Sequence, residues 1–114
     1  MTHATANLRK GKARRDLLAY VRSVYPTCHL CGYPIDANRC ARTDPLGSTV
    51  DELTPLSKGG SATDPANCRH AHRACNSIRG NRDITPAIHQ ACVDRIKQLL
   101  GITTRANTIR IRNW

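Results

Sequence analysis

The chain has 114 residues, and its 18 Lys and Arg against 8 Asp and Glu give a formal net charge of +10 with neutral histidines. This length suits one domain, and with no Phe and few other aromatic residues a hydrophobic core needs an additional staple. The six cysteines offer one, as disulfides or as metal-bound thiolates. No apolar signal segment and no stretch of about 20 apolar residues is present, so we expect a soluble, cytoplasmic protein.

The charge is unevenly distributed along the chain. Residues 1–26 hold six basic side chains and one acidic one, residues 69–114 hold nine and two, and residues 27–68 hold three and five. Basic flanks suit a polyanion, most simply nucleic acid, although a solvated basic surface has the same composition. Acidic residues would weaken phosphate binding unless a cation lies among them, so the acidic centre indicates a metal.

The predicted elements begin with a tail and a helix. Residues 1–11 lack apolar periodicity, which predicts a disordered or DNA-tracking tail. A helix follows and ends at Pro26. Its apolar stripe is formed by Leu17, Val21, Val24 and Tyr25. Residues 27–47 are rich in Cys, Gly, Pro, Asp and Asn, which favours turns over regular structure.

Two short strands and a helix are predicted in the centre. The first strand runs from Ser48 to Leu56, with Val50 and Leu53 as its packing residues, and a loop of turn-forming residues ends it. The second strand covers residues 68–72, and a helix continues from about residue 73 to Gly80.

A final helix is marked by Thr85 as N-cap, Pro86 in the first turn and Gly101 at its end. Its apolar face consists of Ile88, Cys92, Ile96 and Leu99. The last segment, residues 108–114, alternates Ile and Arg, which is typical of an edge strand or a phosphate-contacting arm.

Two pairs of potential metal ligands share the same spacing. Cys28 and Cys31 form CHLC, and His72 and Cys75 form HRAC. Two intervening residues let a tight turn direct both donors at one ion, so the pairs predict a closed structural Zn²⁺ site of three thiolates and one imidazole. A redox CxxC or a disulfide would leave the histidine unexplained, while His70 remains an alternative fourth ligand.

The other three cysteines are less informative. Cys92 lies on the apolar face of the last predicted helix and is expected to be a small core residue. Cys40 and Cys68 have no assigned role from their positions in the sequence.

A family resemblance rests on three segments: VDELTPLSKGG at residues 50–60, the Asn at position 67, and HRACNSIRG at residues 72–80. Together they resemble the core of HNH endonucleases, especially small phage and actinobacterial members with an upstream CxxC, over residues 28 to about 82. The resemblance implies an α+β fold: a small zinc-stapled ββα-metal (His-Me finger) core flanked by N- and C-terminal helices.

The implied organisation is a single domain covering residues 1–114. Its parts would be a basic tail and helix at 1–26, the zinc knuckles and nuclease core at 27–84, and a helix with a basic tail at 85–114.

The resemblance also implies roles for four residues. Asp51 and Asn76 match the ligands of a catalytic divalent cation, Mg²⁺ or Mn²⁺, and Asn67 matches an amide clamp that orients the general base. Glu52 occupies the position where most members have a His base, and a carboxylate is intrinsically a weaker base than imidazole. Both neighbouring carboxylates could bind the ion, but adjacent strand residues point to opposite faces.

The implied activity is hydrolysis of DNA phosphodiesters. Duplex DNA would be held mainly through its backbone by basic side chains: Lys58, Arg69, Arg73, Arg79 and Arg82. Similar proteins assist phage terminase in genome packaging or act in restriction, and a phage-encoded protein would work in the host cytoplasm. Two alternatives remain open: a non-catalytic zinc module with a decayed active site that binds DNA or a partner protein, and a zinc-stapled adaptor.

Overall fold

The computed structural model describes residues 11–102. Within this range an α+β fold contains three α-helices and a two-stranded sheet, in the order α1 (Gly11–Val24), β1 (Ser48–Glu52), β2 (Cys68–His72), α2 (Arg73–Arg79) and α3 (Pro86–Leu99). The tail was predicted over residues 1–11, but Gly11 already belongs to α1, and residues 1–10 lie outside the described residues, as does the arm predicted over residues 108–114. None of the described helices combines the length and the hydropathy needed to cross a membrane.

The sheet is an antiparallel pair in which Ser48 lies opposite His72 and Glu52 lies opposite Cys68. The predicted second strand is confirmed, whereas the first is shorter than predicted and ends at Glu52. Pro55 has no N–H with which to extend a ladder, and it leads directly into a single 3-10 turn at Leu56–Lys58. Leu53 consequently lies outside the strand and is partly exposed rather than packed.

Helix α1 packs with the sheet in a small hydrophobic cluster formed by Leu17, Val21, Val50 and Cys68. Leu17 and Val21 lie one helical turn apart, so the predicted stripe places both on the buried side. Val24 was predicted to share that stripe, but it is 46% exposed because α1 ends at this residue and the chain leaves the helix.

A larger hydrophobic cluster surrounds the cysteine-rich segment and α3. The buried face of α3 consists of Ile88, Cys92 and Ile96, which confirms the predicted periodicity. The helix begins as predicted, because the Thr85 hydroxyl accepts a hydrogen bond from the backbone N–H of Ile88 at 3.2 Å and Pro86 follows the cap. The sheet, α2 and α3 therefore meet around the cysteines.

We expect Ile96→Val to lower the free energy of unfolding by about 0.5–1.5 kcal/mol, because it removes one methylene from a fully buried side chain. Ile84→Val is the matched control, since Ile84 is 41% exposed and the same change should have little effect there. Urea unfolding of both variants measures the difference. Equal losses of stability would contradict the packing described for α3.

Candidate metal centre and adjacent carboxylates

The CHLC segment forms a tight turn. The backbone N–H of Gly32 donates to the Cys28 carbonyl at 2.8 Å, and Gly32 has a φ of +83°, a conformation that glycine adopts without steric cost. Cys28 also donates its backbone N–H to the Tyr33 carbonyl at 2.9 Å. This closed turn brings the side chains of Cys28 and Cys31 into one buried cluster.

The second pair of ligands lies at the junction of β2 and α2. His72 ends the strand and Cys75 lies in the first turn of the helix. The Nδ1 atom of His72 is 3.4 Å from Cys31 Sγ and 3.9 Å from Cys75 Sγ. The ligand atoms of all four residues lie within 4.8 Å of one another. Tetrahedral Zn²⁺ requires such atoms to be about 3.5–3.8 Å apart. The cluster could therefore hold a metal ion such as zinc.

Hydrogen bonds around the cluster favour metal binding. The Nε2 atom of His72 lies 3.2 Å from the Pro34 carbonyl, which can only accept, so Nε2 carries the proton and Nδ1 retains its lone pair. The backbone N–H of Tyr33 donates to Cys31 Sγ at 3.5 Å, a contact that favours the thiolate. The imidazole tautomer and the turn thus both suit a bound cation.

The three thiols perturb one another strongly. Hydrogen bonds from Cys31, the larger contribution, and from Cys75 lower the pKa of Cys28. The hydrogen bond with Cys28 raises the pKa of Cys31 to about 12. The pKa of Cys75 is raised by its contacts with Cys28 and Cys31. Thiols this close cannot all ionise without a compensating positive charge, which a divalent metal supplies.

His70 lies outside the cluster, so the fourth clustered residue is His72 and not the alternative, His70. Its Nδ1–H donates to the Tyr25 carbonyl at 2.6 Å, and its Nε2 accepts from the Ser48 hydroxyl. Burial lowers the pKa of His70, which favours the neutral ring. His70 thus connects β2 to the end of α1 and to β1.

The remaining cysteines have separate positions. Cys92 is buried in α3, as predicted, and its thiol donates to the Cys75 carbonyl at 3.7 Å. Cys68 is buried against α1, while Cys40 is exposed.

Asp51 contacts the CHLC turn and is almost completely buried. Its Oδ2 atom is 2.8 Å from Nε2 of His29 and 2.9 Å from Nη1 of Arg79. No role was predicted for His29 from the sequence. The signal that could have found it is its position in CHLC, between two cysteines whose side chains enter the cluster.

Glu52 is also buried, but its contacts come from a different element. Its Oε2 atom lies 3.3 Å from Nη1 of Arg14, whose other guanidinium nitrogen donates to the Val50 carbonyl at 3.1 Å. Adjacent residues of β1 thus contact different partners, Asp51 meeting α2 and the CHLC turn while Glu52 meets α1, as strand alternation requires.

The two predicted asparagines also contact the segment around β1. Asn67 accepts the Thr54 backbone N–H at 2.9 Å and donates its amide N–H groups to the carbonyls of Thr54 (3.0 Å) and Ser61 (2.8 Å), so it bridges both sides of the β1–β2 loop. Asn76 Nδ2 donates to the Val50 carbonyl at 3.4 Å, directly before Asp51 in the chain. Its Oδ1 atom takes no part in that bond.

The predicted DNA-contacting residues differ in accessibility. Lys58 is exposed and ion-paired with Asp83 at 3.0 Å, and the exposed Arg73 donates to the Ala41 carbonyl at 3.0 Å. The exposed Arg82 donates to carbonyls of α2. Arg69 is half-buried, with its guanidinium 5.1 Å from the centre of the Tyr25 ring.

Arg79 requires a correction, because it is only 1% exposed and no phosphate could reach it. Its guanidinium donates to the Asp51 carboxylate and to the carbonyls of Glu52, Leu53 and Arg82. Arg79 therefore holds the end of β1 against α2, instead of contacting DNA as the sequence analysis predicted.

Comparisons of the chain with family models, curated proteins and solved structures find no match.

We expect the purified chain to bind one Zn²⁺ per molecule. Cys28→Ser should reduce the zinc content well below one ion per molecule because it removes one of four clustered ligands. Cys40→Ser, which alters an exposed cysteine, is the matched control and should retain full zinc content. Elemental analysis gives the stoichiometry, and circular dichroism with a chelator tests whether metal loss unfolds the chain. A zinc content unchanged by Cys28→Ser would contradict this assignment.

Proposed function

We propose that this chain is a metal-dependent DNA endonuclease of the HNH type, in which β1, β2 and α2 form a ββα-metal core. The observation that carries the proposal is the convergence of Asp51 and Asn76 on one segment of β1. Asp51 belongs to the strand, and the Asn76 amide on α2 donates to the carbonyl of the residue before it. The strand–strand–helix order thereby puts the Asn76 amide against the β1 backbone next to Asp51, which supports the proposal.

The donor atoms suit a hard divalent cation. Carboxylate and amide oxygens are the ligands that Mg²⁺ and Mn²⁺ accept, and the hydrogen bond from the Asn76 side chain to Val50 uses its amide nitrogen and not its oxygen. Asp51 would bind through its carboxylate beside the buried Arg79 guanidinium. When bound, the cation polarises the scissile phosphate and stabilises the leaving 3′ oxygen.

Glu52 is the proposed general base. In the hydrolysis a water oxygen bonds to phosphorus, the bond from phosphorus to the 3′ oxygen breaks, and one water proton goes to the base. The Asn67 amide joins both sides of the loop that follows Glu52, so it would hold the end of β1 in register. Arg14 pairs with the Glu52 carboxylate and thereby orients it from α1.

Duplex DNA is the proposed substrate because the chain carries a net charge of +10 and exposes basic side chains in the β1–β2 loop, on α2 and directly after α2. Lys58, Arg73 and Arg82 are exposed and could exchange their present partners for phosphates. Contacts of this kind bind the backbone without reading base sequence, so this surface alone would give little sequence specificity.

A non-catalytic zinc module that binds DNA is the second candidate. One observation favours it: the Arg79 guanidinium already neutralises Asp51 inside the protein, so the carboxylate has a cationic partner without a metal. This candidate predicts zinc and DNA binding with no cleavage in the presence of any divalent cation.

We expect Asn76→Ala to reduce cleavage of supercoiled plasmid in Mg²⁺ or Mn²⁺ by at least about 100-fold, because it removes one of two proposed cation ligands. The substitution removes the hydrogen bond to the Val50 carbonyl, but that carbonyl keeps its bond from Arg14 and alanine favours helix more than asparagine does, so circular dichroism should show a folded variant. Asn38→Ala changes an exposed loop residue and should cleave like the unmodified protein. If the unmodified protein neither nicks nor cuts the plasmid with any of the metals, the enzyme proposal fails.

Glu52→Gln tests the base, since glutamine keeps the size and an acceptor oxygen for Arg14 but cannot take up the water proton. We expect cleavage to fall by about 100-fold or more while DNA binding is retained. Asp94→Asn removes an exposed carboxylate from α3 and serves as control. A Glu52→Gln variant that cleaves at the original rate would show that another group is the base.

A further inference from the structure

The proposed function gives no role to the imidazole of His29, a side chain that can bind metal ions or transfer protons. The other histidines among residues 11–102 have structural partners. His70 is bonded at both nitrogens, His72 belongs to the thiol cluster, and His89 contacts the Leu30 carbonyl. His29 instead directs Nε2 at the Asp51 carboxylate, with a distance of 2.8 Å to Oδ2.

This distance matches the spacing of neighbouring ligands on one ion. Octahedral cations with bonds of about 2.1 Å hold adjacent donor atoms roughly 3 Å apart. In this contact the Nε2–H of His29 donates to the Asp51 carboxylate. A cation would take the place of that proton, the ring proton moving to Nδ1, and it could then bind Oδ2 and Nε2 with little movement of either side chain. His29 is 17% exposed and Asp51 is 6% exposed, so the pair is shielded but open to solvent on one side.

We infer that His29 is a third protein ligand of the cation site proposed at Asp51 and Asn76, and that its nitrogen directs the site toward Mn²⁺ over Mg²⁺. This inference rests on the proposed function, because it assumes that Asp51 and Asn76 bind a cation. Imidazole nitrogen is a good ligand for transition metals, whereas Mg²⁺ prefers oxygen. A site with two oxygen donors and one nitrogen donor thus favours manganese.

The thiol cluster would hold this ligand in place. Cys28 and Cys31 on either side of His29 turn into the cluster, and the backbone N–H of His29 donates to the His70 carbonyl at 3.0 Å. Because the turn is held at Cys28 and at Cys31, the His29 side chain has little freedom to leave Asp51. The structural metal would in this way position a ligand of the second cation.

Arg79 sets the strength of the site. Its Nη1 atom lies 2.9 Å from the same carboxylate oxygen, so a cation must share Asp51 with a buried positive charge. Like-charge repulsion makes binding weaker than the ligand set alone would give. We therefore expect Mn²⁺ affinity to be modest in the absence of a substrate phosphate.

The test uses the zinc-loaded full chain and Mn²⁺ alone as probe. Electron paramagnetic resonance measures the bound fraction, and electron spin echo modulation detects nitrogen from a coordinated imidazole. The unmodified protein should show this nitrogen signal. His29→Gln should remove it and weaken Mn²⁺ binding by at least about tenfold, with a smaller loss for Mg²⁺ because glutamine offers an oxygen.

His89→Gln is the matched control, since His89 is exposed and lies on α3. It should leave both the signal and the affinity unchanged, and both variants should keep the zinc content of the unmodified protein. If Mn²⁺ binds to the unmodified protein without a nitrogen signal, and Asn76→Ala abolishes that binding, the role of His29 is overturned while the cation site itself stands. No Mn²⁺ binding to the unmodified protein would overturn this inference, and intact plasmid in the cleavage assay would separately overturn the proposed function.

Discussion

The thiol and imidazole cluster is the constraint on which the described structure depends. It joins the CHLC turn at residues 28–31 to the junction of β2 and α2. The turn precedes both strands of the sheet in the chain. A structural zinc ion contributes about 10–16 kcal/mol to the folding of small zinc-finger peptides, which is as large as the whole stability of a typical domain. A chain with no Phe and a small hydrophobic core gains more from such a staple than from added packing.

The sheet separates two buried carboxylates that are neighbours in sequence. Asp51 pairs with Arg79 from α2, and Glu52 pairs with Arg14 from α1. Removing one partner of a buried ion pair is costly because the other charge remains in the interior. These pairs therefore set the positions of α1 and α2 relative to β1, in addition to the small hydrophobic contacts. Each carboxylate consequently has its own chemical environment.

The cluster and the proposed cation site share one short turn. His29 lies between Cys28 and Cys31, and its ring reaches Asp51 on β1. Any change in the turn would affect the thiol geometry and the surroundings of Asp51 together.

Features that depend on local spacing could be predicted from the sequence. Two ligand pairs with two intervening residues predicted the cluster, and apolar periodicity with a Thr-Pro start predicted α3, because turns and helices impose fixed distances between nearby residues. Which charged groups meet depends on how the elements pack, and the sequence did not predict it. Arg79 is basic and helical, which locally favours solvent, yet it is buried because α2 folds against the carbonyls that end β1. The contact of His29 with Asp51 likewise joins residues whose proximity no local pattern encodes.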